Sequence, residues 1–285
     1  MEVIEYPIFL NNSELISPND GTLYHYTKFD SFMKIIENMT LRSSPLYKMN
    51  DLNEANLNNL DWDVDFLKMV EVEQYVKKKC SLISFTKTYR TGTVCQLGSN
   101  HPSMWAHYAD DSNGVCLALD KKLLLELNRK TLKGIFHKTE KVSYRYLCSP
   151  DDSVMQNMGS NVSEFVQRNY KELFFVKHMD WKSEHEIRFF AECPELFLNI
   201  KGAIKYIVLG ERLSKDRDRL TKVIEQIIVP NTQSFHYLIP HSFAEMRPSP
   251  YGYFIGQADY LIEAMIEEFS GYSNNYLKWR KETFA

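Results

Sequence analysis

The segment Trp181-Lys182-Ser183-Glu184-His185-Glu186-Ile187-Arg188 carries the densest set of groups able to do chemistry. Read as an extended strand, it places alternate side chains on one face, so Glu184, Glu186 and Arg188 converge. Two close carboxylates push their pKa values apart, and an arginine fork can hold one of them. Such a pair suits catalysis. The plain alternative is a solvated strand face with an exposed ion pair of little energetic weight.

Three weaker constellations precede it. Leu23-Tyr24-His25-Tyr26-Thr27 reads as a strand with Tyr24 and Tyr26 on one face and His25 on the other, where a histidine can equally be structural. Leu41-Arg42-Ser43-Ser44-Pro45, leading to Asn50-Asp51 and Glu54, offers donors for an anion at a helix start, or simply a turn followed by a helix cap. Ser84-Phe85-Thr86 with Met104-Trp105-Ala106-His107-Tyr108 can line a pocket wall with hydroxyls and flat rings, or pack a core. No P-loop, His-Glu-x-x-His, Gly-x-Ser-x-Gly or paired metal-ligand spacing is present, which removes the commonest hydrolase and NTPase routes.

The elements that must position these groups follow from periodicity. Leu23–Thr27 predicts a strand, and Asp30 opens a helix with Phe32, Ile35 and Ile36 at helical spacing. Leu41-Arg42 is a second extended piece. A helix start at Asn50-Asp51, a helix over Val64–Lys79 and a central strand over Ser81–Thr86 come next. Tyr89–Ser103 reads as a loop, Met104–Tyr108 as a short helix, Asp110–Gly114 as a polar turn and Val115–Leu119 as a strand. Strands at Phe136–Tyr146 and Glu186–Ala191 flank a helix over Val162–Phe175. Lys205–Leu209 is the last clear strand, followed by a charged helix over Ser214–Ile227 and an amphipathic tail over Asp259–Lys281. Without regular strand-helix alternation or a Gly-x-Gly-x-x-Gly turn, the pattern predicts one α+β domain with a mixed sheet, not a doubly wound nucleotide fold.

Composition narrows the class. At 285 residues the chain can bury a sizeable core, and 44% hydrophobic with 25% charged residues sets disorder aside. A net charge of −3 gives the molecule as a whole no footprint for phosphate backbones. Five widely spaced cysteines without a Cys-x-x-Cys pair predict reduced, buried thiols rather than a zinc site. The start, with Glu2 and Glu5 and no basic segment before a long apolar run, predicts no leader peptide. No stretch is apolar enough to span a bilayer, and the protein is expected in the cytoplasm.

Taken in order, Leu23–Thr27, Arg42, Asn50-Asp51, Ile83-Ser84-Phe85, Trp105–Asp110, Gly114-Val115-Cys116, Glu184–Arg188 and Ile207-Val208-Leu209-Gly210 resemble the bacterial domain of unknown function 2971 family. The resemblance spans about residues 22–245, with 246–285 as a helical tail. Members of that family often accompany antiphage-defence or mobile genes. More distantly, the chain is similar to the ADP-ribosyltransferase fold, which binds NAD in the cleft of a split β-sheet, an argument by analogy.

The resemblance implies an NAD-dependent ADP-ribosyltransferase or NAD glycohydrolase acting as a toxin-like effector in antiphage defence or bacterial competition. NAD would be its substrate, with no metal. It makes Glu186 the catalytic carboxylate, with Glu184 orienting an acceptor or pairing with Arg188, and His25 hydrogen-bonding the ribose or the nicotinamide amide. Tyr26, Trp105 or Tyr108 would stack on nicotinamide, Arg42 and Ser43 would meet the pyrophosphate, and Ser84 and Arg188 would complete the NAD-binding set. The stacking aromatic is not assignable among Tyr26, Tyr47 and Tyr108, and a Ser-Thr-Ser strand is absent, so the acceptor, protein or nucleic acid, stays open. A neighbouring inhibitor or defence-system protein is the expected partner, and no membrane. Two other classes compete: a non-catalytic sensor binding a nucleotide or phage component, and a nuclease with Asp51, Glu54, Glu184 and Glu186 around magnesium.

Overall fold

The computed structural model describes residues 21–46, 66–91, 94–96, 98–146, 161–214, 218–219, 243–249 and 252–257. The expected arm at 1–20, the helix start at Asn50-Asp51, Tyr47 and the tail helix at 259–281 lie outside the described residues. Strands and helices mix as expected for an α+β protein. By contacts the chain divides into two compact units, each discontinuous in sequence. Unit 1 takes Met1–Thr40, Thr86–Leu127 and Asn199–Ala285, and unit 2 takes Leu41–Phe85 and Asn128–Leu198.

In unit 1, strand β1 (Thr22–Thr27) feeds helix α1 (Phe29–Asn38), whose Phe29, Phe32 and Ile36 form the buried stripe. Asp30 in its first turn complements the helix dipole, and Met39 ends it in the left-handed region at φ 51°, returning its N–H to Ile35 and Ile36. Strand β7 (Val115–Asp120) pairs antiparallel with β1, Tyr24 facing Ala118 and Tyr26 facing Cys116. Small residues opposite large rings leave room for Tyr24 and Tyr26 to pack with Met104, Trp105, Ala109 and Val208 in one core. Beyond β7 come β13 (Ile204–Leu209), antiparallel to it, then β14 (Phe243–Ser249), parallel to β13, and β15 (Gly252–Gln257), antiparallel to β14. The expectation that Lys205–Leu209 is the last clear strand is therefore corrected. The expected loop at Tyr89–Ser103 also contains a hairpin, β5 (Tyr89–Thr91) with β6 (Val94–Gln96).

The approach of β1 and β13 to the turn before β7 is unusually close. A Cβ on Gly114 would lie 2.2 Å from the Thr27 carbonyl oxygen, and one on Gly210 would lie 2.2 Å from that of Ser112. The turn itself holds Asp110, Asp111 and Ser112 at positive φ.

In unit 2, β3 (Ser44–Pro45) pairs with β4 (Ser81–Thr86), and β8 (His137–Lys141) pairs antiparallel with β11 (Glu186–Ala191). All six residues of β11 are buried. Strands β9 (Ser143–Arg145) and β10 (Val176–His178) form a separate parallel pair. Helix α2 (Phe66–Lys79) and the helix Val162–Arg168 close a second core of Val72, Val76, Cys80, Phe165, Phe174 and Phe190, in which the Phe174 and Phe190 rings stack at 4.2 Å. The helix expected over Val162–Phe175 is broken at Asn169, and the strand expected over Phe136–Tyr146 is interrupted at Val142, whose N–H goes to the Glu186 carbonyl. A short helix spans Glu211–Ser214, and most of the charged helix expected over Ser214–Ile227 lies outside the described residues.

Candidate functional site

Glu184 to Arg188 is not one extended run. Met179–Glu184 is a 3₁₀ helix begun by His178, whose Nδ1 accepts the Asp180 N–H, and ended by His185 at φ 47°. Only Glu186 onward is strand. The single strand face expected for Glu184, Glu186 and Arg188 is corrected accordingly. The two carboxylates still meet, because the left-handed His185 turns the chain so that both reach a shared cation.

That cation is Lys177 on β10. Its Nζ donates to Glu184 Oε2 at 2.7 Å and reaches Glu186 Oε2 at 3.5 Å, with the Trp181 ring centroid 4.7 Å away. Arg188 folds back along its own strand: Nε donates to Glu186 Oε1 at 2.7 Å, Nη2 to Oε2 at 3.0 Å, and Nη1 to the Phe174 carbonyl at 2.7 Å. The Glu186 N–H donates to the Tyr144 hydroxyl at 2.9 Å. All four charged side chains are at most 6% exposed, so the solvated-face alternative is overturned. Two carboxylates and two cations cancel within the cluster.

Burial pushes the Glu186 carboxyl upward, but the Arg188 charge and fork, the Lys177 charge and a Ser84 hydrogen bond outweigh it and hold the group below its ordinary value. Burial raises the Tyr144 phenol well above its usual range, with the Glu186 and Glu184 charges adding to the effect. The cluster is therefore a dry, fixed carboxylate beside a neutral phenol.

The structure brings Ser84, Glu184, Glu186 and Arg188 together in unit 2. Lys177 and Tyr144 complete the set and were not legible as site residues. For Lys177 the one signal is a lysine directly after the apolar Phe174-Phe175-Val176. Arg42 and Ser43, also in unit 2, make other contacts. Arg42 pairs with Glu195 at 2.5 Å, both half-exposed, while the buried Ser43 hydroxyl bonds Ser81 Oγ at 2.8 Å and accepts the Leu196 N–H at 2.7 Å.

His25, Tyr26, Trp105 and Tyr108 fall in unit 1. Tyr26 and Trp105 meet edge to face at 5.1 Å. Their polar ends hold a loop: the Tyr26 hydroxyl donates to the Gly98 carbonyl at 2.7 Å, and Trp105 Nε1 donates to that of Ser99 at 2.9 Å. Tyr108 packs partly buried against the same cluster, and His25 is half-buried on the opposite face of β1. Among the described residues, no group of three or more His, Cys, Asp or Glu is placed to hold a metal ion, and no helix is long and apolar enough to cross a membrane. Asp51 and Glu54 lie outside the described residues.

Fold and site thus define an α+β protein with a buried, charge-balanced carboxylate cluster. The model of a family described as protein of unknown function (DUF2971) matches residues 104–189, from within α3 (Pro102–Tyr108) into β11. This supports the resemblance to that family over a segment containing Tyr144, Lys177, Glu184, Glu186 and Arg188. No curated protein and no solved structure matches the chain.

Proposed function

We propose that the protein cleaves the nicotinamide–ribose bond of NAD, as an ADP-ribosyltransferase or NAD glycohydrolase, with Glu186 as the charge-stabilising carboxylate. The observation that supports this reading is a carboxylate, 4% exposed, that is nonetheless held ionised by its neighbours. In this reaction the C–N electron pair leaves with nicotinamide, which departs neutral and needs no general acid, so positive charge builds on the ribose. A fixed anion in a dry site stabilises that charge without waiting for solvent to reorganise. Water or an acceptor hydroxyl then bonds to the sugar carbon and loses its proton, and Glu184, the second carboxylate of the cluster, is the candidate base. The roles of His25 and Tyr108 and the assignment to defence or competition rest on the family resemblance.

One observation favours a second reading. Both Glu186 oxygens already accept bonds from Arg188, which suits a rigid support inside a non-catalytic module that binds a nucleotide or phage component. Wild type and Glu186→Gln, incubated with NAD without added metal and assayed for nicotinamide by chromatography, separate the two. Release by wild type alone, with the variant folded by circular dichroism, is expected. Equal release by both refutes the role of Glu186. Release by neither, with NAD or another nucleotide raising Tm, establishes the binding module.

A further inference from the structure

The buried cluster contains a residue to which the NAD reading gives no part of its own. Lys177 is 5% exposed and lies on the short strand β10, outside the 3₁₀ helix that carries Glu184 and outside β11, which carries Glu186. We propose that Lys177 is a positioning residue: its ammonium clamps the Glu184 and Glu186 carboxylates side by side and fixes the junction from which β11 departs. Only the catalytic consequence of this clamp rests on the NAD reading.

The geometry divides labour between the two cations. Arg188 spends Nε and Nη2 on Glu186 and Nη1 on the Phe174 carbonyl, so its fork is directed at one carboxylate. The ammonium 2.7 Å from Glu184 is that of Lys177, which also faces Glu186 at 3.5 Å. The same 3₁₀ helix supplies Trp181, whose ring covers Lys177 Nζ at 4.7 Å. One turn of chain therefore grips the ammonium at two points, through a carboxylate and through a π face. His185, at φ 47°, occupies a backbone region that a non-glycine residue holds only when its surroundings enforce it, and the clamp spans that residue on both sides. Among the described residues Tyr144 from β9 also meets the cluster, its hydroxyl accepting the Glu186 N–H, and it is neutral near physiological pH.

Removing the ammonium leaves two neighbouring buried carboxylates, of which the Arg188 guanidinium holds Glu186. Such a pair titrates as a unit, and it restores balance by keeping one proton in the folded state. A carboxyl pair whose folded value is raised stabilises the fold below the unfolded value, and that stability is lost as pH rises through the folded value. In urea unfolding between about pH 5 and about pH 8, Lys177→Met is expected to lose stability as pH rises, by up to roughly tenfold in the folding equilibrium per pH unit for one linked proton. Wild type and Lys177→Arg should lack that slope. Lys177→Met/Glu184→Gln, which restores balance by removing one charge of each sign, should lose the slope as well and should recover folding if the single variant fails to fold. A wild-type pH profile in Lys177→Met, or a double variant no better than the single, overturns the proposal.

The catalytic arm is separate. If wild type releases nicotinamide, Lys177→Met should lower kcat at least tenfold with KM unchanged, and Lys177→Arg should restore part of it; a change confined to KM overturns the positioning role. If wild type releases none, the NAD reading fails while the urea series still decides the clamp.

Discussion

Arg188→Met is the sharpest test of what the cluster contributes to folding. The side chain is 1% exposed, and three of its nitrogens donate: two to Glu186 and one to the Phe174 carbonyl. Methionine fills much of the same volume but leaves the Glu186 carboxylate without its closest counter-charge. Breaking a buried pair from one side costs about 3–5 kcal/mol, and the carbonyl that loses its donor adds about 1 kcal/mol. With a urea slope of about 3 kcal/mol per molar, the midpoint should fall by about 1–2 M. A second substitution reverses the logic. In Arg188→Met/Glu186→Leu both members of the fork are gone, Lys177 and Glu184 remain as a matched pair, and most of the loss should return, since well-packed apolar groups replace a buried ion pair at little or no cost. Urea unfolding followed by circular dichroism at pH 7 measures both. A single variant within about 1 kcal/mol of wild type, or a double variant worse than the single, refutes the view that charge pairing governs this site.

Two further outcomes follow from features already described. Because the folded Glu186 carboxyl is held below its ordinary value, it contributes stability above the unfolded value near 4.5 that disappears as pH falls through the folded value; wild type should weaken in acid, and Glu186→Gln should flatten that limb in urea titrations. Gly114→Ala and Gly210→Ala should each destabilise unit 1 by about 1–3 kcal/mol or more, because the new methyl meets backbone that cannot swing away, and thermal unfolding should show lower Tm for both.

Periodicity carried much of the fold into view and misled where a single backbone angle decided the outcome. Alternation placed Tyr24 and Tyr26 on one face of β1, and both are buried there. The same rule applied to Glu184, Glu186 and Arg188 assumed continuous strand geometry, which His185 interrupts. The carboxylates converge anyway, for a reason that alternation does not encode: a lysine contributed by another element. Lys177 reads in sequence as an ordinary charged residue following an apolar stretch, because its partners are assembled by tertiary structure. Ser43 shows the converse. A hydroxyl beside an arginine suggests an anion site, yet its bonds to Ser81 and Leu196 depend on residues far along the chain. Strand β14 was missed because Pro248 interrupts its pattern, and β15 because glycines bracket a three-residue core.

The bonds of Ser43 also bear on the order in which the protein can assemble. Its hydroxyl bonds Ser81, whose own Oγ donates to the Cys193 carbonyl, and it receives the N–H of Leu196, 153 residues away. On the ribosome, unit 2 therefore cannot complete this hydroxyl relay until the chain has grown past Leu196, by which time α1, β1 and β7 of unit 1 have long been synthesised. Unit 1 in turn must wait for β13, which comes later still. Such long-range closure slows folding and lengthens exposure of the unpaired strands of both units. It also means that a fragment spanning residues 41–198 would carry residues 86–127 of the other unit within it, so neither unit can be excised as one uninterrupted stretch of chain.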